Sequence, residues 1–304
     1  MSEPMVTVCP HVFDPSGRSA HRHIESASGL AGLPARRPDG APAGSAYLRL
    51  FTAAGHEHLA ELDLHVHPAE RRAGVGSHLL GAALAAAREE GRRCVTAEAE
   101  AGAPGEAFLA ARGFRPALGL TFTRLPMAGV DPAVLGAALA EPHPGYRLVS
   151  WEGVVPDELA GTFAESRRAM DDMPMDGLDY RPAPWDVARV RAAAEAIARR
   201  GELLHTVAAV DEADGTIAGF AELVVPGDGT GDGQHYGTGV LPEHRGRGLG
   251  RWMKAEMIRL VREHHPDLGG LLADTADGNT YMRAINDAFG YSPTHRTVRY
   301  RLDL

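Results

Sequence analysis

Five residues of this chain recur in order and at one constant offset: Val66, Pro68, Arg71, Gly74 and Gly76 return as Val240, Pro242, Arg245, Gly248 and Gly250, each 174 residues later. A repeat of that length far exceeds a solenoid unit and describes two copies of a whole domain. The 304 residues are enough for two domains that each bury a core. A topology read for one copy must therefore suit the other.

The second copy is the fuller one. Ahead of its repeat, Gln234 to Val240 alternates and carries glycines, as a strand does, while behind it Leu249, Met253, Met257, Leu260 and Val261 recur at helical spacing. Gly246, Gly248 and Gly250 reach backbone angles closed to other residues and let a ligand approach the main chain. Amides opening at a helix N-terminus, beside the positive end of the helix dipole and beside Arg245 and Arg247, suit a pyrophosphate. Two other phosphate loops are excluded. No Lys follows these glycines as the Walker pattern requires, and glycines spaced by two fit G-x-G-x-x-G poorly. Further on, Leu271 to Thr275 reads as a strand and Asn279 to Phe289 as a helix closing at Gly290.

The run R-x-x-G-x-G at Arg245, Gly248 and Gly250, preceded by Val240 and Pro242, resembles the acyl-CoA pyrophosphate loop of the GNAT acyltransferase superfamily. Asn279, Met282, Ile285, Asn286, Gly290 and Tyr291 are similar to a second pattern of that superfamily, with Asn286 standing where many relatives have a Tyr. That Tyr is credited with protonating the departing CoA thiolate, so here water, Tyr236 or Tyr281 would deliver the proton.

The first copy repeats the plan in eroded form. Val75, Leu79, Leu80 and Leu84 line a helix, Cys94 to Ala99 reads as a strand, and Gly113 and Phe114 correspond to Gly290 and Tyr291. Arg72 and Ala73 replace Gly246 and Arg247, and no Asn stands at the counterpart of Asn279. Such a pair resembles tandem GNAT enzymes of the mycothiol-synthase kind, in which the C-terminal domain does the chemistry. The resemblance implies an α/β (α+β) fold of two tandem units, each a mixed central sheet flanked by helices. The expected division is a degenerate first domain over 1–125, a linker over 126–145 and a catalytic domain over 146–304.

The other segments fit that order. Tyr47 to Thr52 and His58 to Val66 read as a hairpin around Gly55, whereas Met1 to Ser45 shows no useful periodicity. In the second copy, Tyr146 to Trp151 reads as a strand and Pro156 opens a helix reaching about Met170. A second helix covers Asp186 to Arg200, and a hairpin joins Leu203 to Val210 with Thr216 to Val225.

Composition narrows the chemistry. A net charge of −9 disfavours nucleic acid and mildly favours a cationic partner. No apolar run of membrane-spanning length and no basic-then-apolar leader occur, so a cytoplasmic protein without membrane contact is expected. Cys9 and Cys94 have no metal spacing, and the paired histidines, such as His65 with His67 and His264 with His265, lack further ligands, so no metal is expected.

By resemblance, acetyl-CoA is the cosubstrate and a small-molecule amine the acceptor. The thioester arm would lie along Thr238, Gly239 and Val240, with its pyrophosphate held by Arg245, Gly246, Arg247, Gly248, Leu249 and Gly250 and Asn279 nearby. Direct transfer needs no enzyme nucleophile, in agreement with the absence of a Gly-x-Ser-x-Gly elbow. It needs a base for the amine. Glu222 is the only ionisable residue of its strand and is the first candidate, and His235 at the start of the motif strand is the second. Asp171, Asp172 and Met173, in an acidic, Met-bearing segment between two helices, are the candidates for holding a cationic acceptor. A CoA-binding protein without turnover is the alternative, motivated by Asn286 at the Tyr position.

Overall fold

A computed structural model describes the backbone of residues 20–25 and, in full, residues 43–51, 55–171 and 184–304. The first half runs β1 (Ala20–Glu25), β2 (Gly44–Leu50), β3 (Leu59–Val66), α1 (Val75–Glu89), β4 (Cys94–Glu100), α2 (Pro104–Ala110) and β5 (Arg115–Pro126). A connecting helix, α3 (Pro132–Ala140), leads to β6 (Tyr146–Glu152), α4 (Asp157–Ser166) and α5 (Val187–Arg199). Then come β7 (Glu202–Asp211), β8 (Ile217–Pro226), β9 (Gly231–Val240), α6 (Leu249–His264), β10 (Leu268–Ala276), α7 (Thr280–Phe289) and β11 (Ser292–Asp303). The expected mixed sheets with flanking helices are present, and the helix opened at Pro156 ends at Ser166 and continues as a 3-10 turn over Arg167–Met170.

The strands form one sheet in the order β1-β2-β3-β4-β11-β5-β10-β9-β8-β7-β6. The two halves exchange their last strands: β11 lies between β4 and β5, and β5 between β11 and β10. Ala20–Glu25, where the sequence shows no alternation, pairs antiparallel with β2. Its apolar residues are too few to mark a strand, and pairing with a neighbour supplies what the pattern lacks.

Each half contains one parallel pair that parts midway. β3 and β4 are in register from Leu59–Cys94 to Leu62–Ala97, and β9 and β10 from Leu268–Gly231 to Leu272–Gln234. Beyond these points each pair opens toward the helix that follows the motif loop. Helix α6 packs Met253, Met257, Ile258 and Val261 against Ala221, Leu223 and Val225 on one face of β8. Phe220 and Val224 on the other face meet α4 and α5, so β8 is buried on both sides. The connector is part of the core too, because Leu135 and Ala138 of α3 join the cluster around α6.

Candidate active site

The open end of the β9/β10 pair holds a cleft of about 530 Å³. Thr238, Gly239 and Val240 form one wall, Gly278 to Met282 the other, and His244 to Gly250 the mouth. All ten residues expected to contact acyl-CoA therefore meet in one place.

The loop has the conformation its glycines permit. Gly246 and Gly248 both have φ of 76°, and Gly248 is the N-cap of α6 without any side-chain cap. The 252 amide bonds to the Gly248 carbonyl at 3.0 Å, while the amides of residues 246–251 donate to no protein acceptor among the described residues. These unspent donors, at the N-terminus of a sixteen-residue helix, fit an anion. The arginines, which line the cleft, also bond within the protein. Arg245 donates through Nε to the Val240 carbonyl at 2.9 Å and through Nη2 to the Ala169 carbonyl at 3.5 Å, and Arg247 bonds the Tyr146 hydroxyl. Both guanidinium groups stitch the loop to its surroundings. From the connector, His143 stacks on Trp252 at 4.3 Å and binds the Arg247 carbonyl through Nδ1 at 3.0 Å, and Glu141 pairs with Arg251 at 3.0 Å.

Asn279 acts as a helix cap. Its side chain accepts from the Met282 amide at 3.1 Å and fixes the start of α7 at the cleft wall. The turn before it is held by β5 and β11: the Asp277 amide donates to the Gly119 carbonyl at 2.9 Å, and its carboxylate accepts from Thr121 and Arg296, each at 2.7 Å.

Glu222 lies on an interior strand, opposite Gly237 and 6% exposed, so it is no edge carboxylate. Its Oε2 pairs with Arg167 at 2.5 Å, and the rings of Trp185, Phe220 and Phe163 enclose that guanidinium at 4.3, 4.6 and 5.6 Å. Thr206, directly across on β7, has a buried Oγ1 without a hydrogen-bond partner among the described residues.

His235 is not brought to the cleft. A bulge at the extra residue Tyr236 pairs His235 with Leu223, on the α6 side, while Gly237 pairs with Glu222. There its Nε2 meets the Tyr291 hydroxyl at 2.8 Å, and burial, reinforced by Lys254, holds its pKa well below the ordinary value. Asn286 is equally remote: it is 1% exposed, accepts from the Lys254 ammonium and donates to Thr275 Oγ1 at 3.3 Å. Tyr281, by contrast, lines the cleft. Asp171 is exposed just after the 3-10 turn, and Asp172 and Met173 lie outside the described residues. Among the described residues no group of three His, Cys, Asp or Glu side chains is placed to hold a metal, and no helix is long and apolar enough to cross a membrane.

The fold is thus a doubled α/β unit built on a parting parallel pair, with an amide-rich loop at the opening. The chain matches the model of the Acetyltransferase (GNAT) family twice, over residues 8–114 and 171–291, and belongs to that family. It is 35% identical to a mycothiol acetyltransferase of Actinosynnema mirum across 95% of this chain and 89% of that one. A mycothiol acetyltransferase of Thermobispora bispora is 29% identical, with 86% and 85% covered. A tandem GNAT protein from the clavulanic acid biosynthesis pathway superposes with a TM-score of 0.69 at 28% identity, over 88% of this chain and 81% of that one. The chain is thus a tandem GNAT N-acetyltransferase, of a family whose acetyl donor is in general acetyl-CoA.

Proposed function

We propose that the second half, residues 146–304, transfers an acetyl group from acetyl-CoA to the amine of a small molecule, and that residues 1–125 take no part in the chemistry. The observation that supports this reading is the convergence of strand, loop and helix cap on the one cleft between β9 and β10. Residues 126–145 connect the two, and this is a division of labour only, since the sheet is shared. The amine nitrogen attacks the thioester carbon, the C–S bond breaks, and the sulfur leaves as thiolate. Glu222, on the strand beside the cleft, takes the amine proton through water, while Arg167 fixes its Oε2. Tyr281, on the cleft wall, is placed to return a proton to the sulfur. The acidic segment that starts at Asp171 borders the acceptor, and the relatives' name directs the first assays to mycothiol-related amines.

The test is release of free thiol from acetyl-CoA across a panel of amines. Turnover should appear with at least one amine, and Glu222→Gln should lower it by about two to four orders of magnitude while acetyl-CoA affinity stays unchanged. Tight CoA binding with no thiol release for any amine would favour the non-catalytic alternative. Turnover close to wild type in Glu222→Gln would clear that residue of the role.

A further inference from the structure

The 3-10 turn Arg167–Met170 touches the site through each of its residues. Arg167 pairs with Glu222, Arg168 pairs with Glu243 of the motif loop, and the Ala169 carbonyl accepts from Arg245. Three ties to two different elements fix the backbone of the turn, leaving the Met170 side chain as its adjustable part. That side chain lies across β9. A Cβ added at Gly239 would stand 2.9 Å from Met170 Sδ and 3.0 Å from Ala169 Cβ, and one at Gly237 would stand 3.6 Å from Met170 Cε. Gly239 is therefore a glycine because nothing larger fits beneath the turn. Met170 also lines the cleft together with Thr238, Gly239 and Val240. The same Cβ at Gly237, whose strand partner is Glu222, would stand 3.6 Å from Phe220 Cε2 as well. The thioether thus lies against Gly239 of the cleft wall and against Gly237, the strand partner of Glu222.

We propose that Met170 sets the length of the acyl group, admitting acetyl and rejecting longer chains. The inference rests on the reading that the thioester lies along Thr238 to Val240. An acyl carbon attached there and directed toward Glu222 runs into the thioether, so a chain two carbons longer than acetyl must displace it. Because the turn is tied down, the displacement falls on the Met170 rotamer and its contacts with Gly237 and Gly239. Truncation to Ala removes Cγ, Sδ and Cε, three heavy atoms against the two carbons that separate butyryl from acetyl.

The experiment measures acetyl-CoA and butyryl-CoA affinity by calorimetry on the full chain, and so needs no knowledge of the acceptor. Wild type should bind butyryl-CoA at least about 10-fold more weakly than acetyl-CoA, in line with the discrimination one or two methylenes give in a shaped pocket. Met170→Ala should bring the two within about threefold, and Met170→Leu, which keeps the volume, should preserve the preference. Met170→Val serves as a second truncation and must shift the ratio in the same direction, which keeps the test decisive if the Ala variant folds poorly. Equal affinities in wild type, or an unchanged ratio in the truncated variants, would overturn the proposal. Failure of the underlying site would look different: acetyl-CoA would bind Gly248→Asp as well as it binds wild type.

Discussion

The two motif loops have the same backbone in different surroundings. Arg71 Nε donates to the Val66 carbonyl at 3.3 Å as Arg245 Nε does to Val240 at 2.9 Å. The residue 78 amide bonds the Gly74 carbonyl at 3.0 Å, as the residue 252 amide bonds Gly248. Gly74 and Gly248 are both left-handed N-caps, with φ of 86° and 76°. What differs is everything packed around them. At Gly248 an added Cβ would stand 3.0 Å from His143 Cε1, whereas at Gly74 it would meet nothing within 4 Å among the described residues. The second loop is held by the connector through His143 and Glu141, by the 3-10 turn through Ala169 and by β6 through Tyr146. Loop conformation is thus local and survives in both copies, while a site also requires walls, and those come from outside the motif. The first half in turn contributes such a wall, through the contacts of Gly119 and Thr121 with Asp277.

The comparison breaks most sharply at the loop glycines. Gly248→Asp places a carboxylate among the amides that face the anion, and Asp tolerates left-handed backbone better than most residues, so the fold should survive. Acetyl-CoA affinity should fall by at least about 100-fold in calorimetry. Arg71→Ala with Gly74→Asp, the corresponding change in the first copy, should leave turnover within about twofold, provided the variant melts normally. Loss of turnover in a normally melting first-copy variant would mean that both loops take part.

How much of this could be read from the chain depended on whether a feature is set locally. The loops were legible because Pro, Arg and Gly at fixed spacing dictate their own turn, and the α7 boundaries because Asn279 and Gly290 cap their own helix. The position of His235 was not legible, because the bulge at Tyr236 that turns it away from the cleft leaves no mark in the alternation of Gln234 to Val240. Asp171 and the 3-10 turn show the same limit. Nothing in Arg167 to Met170 marks a turn whose value lies in three ties to residues 55 or more positions away, and the exchange of β5 and β11 leaves no trace in periodicity.

A middle-sized effect tests the cores beneath the loops. Lys254 is 2% exposed and bonded to Asn286, whereas its first-copy counterpart is Leu80, and the counterpart of Asn286 is Leu109, both buried. Burial pushes the Lys254 ammonium down to about 7 from its ordinary 10.5, with a smaller opposing effect of Asp274. The unfolded chain therefore holds this proton more tightly, and stability should climb as pH rises from about 7 to about 10.5. Lys254→Leu with Asn286→Leu, which gives the second core the residues of the first, should abolish that climb. It should also stabilise the protein near neutral pH by about 1–4 kcal/mol, as apolar replacement of a buried polar pair often does. A lower melting point together with an unchanged pH slope would show that the pair is needed for folding and that the two cores are not equivalent.

The smallest effect concerns a loop position where one copy has Gly and the other a residue with a side chain, both in the left-handed conformation. Arg72 has φ of 68° and is the only residue other than Gly with positive φ among the described residues, while its counterpart Gly246 has φ of 76°. An L-residue with a side chain pays about 1–2 kcal/mol in that region, partly offset for Gly by the greater freedom of its unfolded chain. Arg72→Gly should accordingly stabilise the protein by about 1 kcal/mol or slightly less and leave turnover alone. The reciprocal Gly246→Arg should cost about 1 kcal/mol. It should not be silent in function, because Gly246 lines the cleft and a Cβ there meets no protein atom within 4 Å among the described residues. Denaturant melts of the two variants, paired with acetyl-CoA calorimetry, separate the two contributions. Equal and opposite stability changes with a binding loss in Gly246→Arg alone would support one shared loop conformation with a single working site. A destabilised Arg72→Gly would mean that the arginine side chain makes a contact that outweighs its strain.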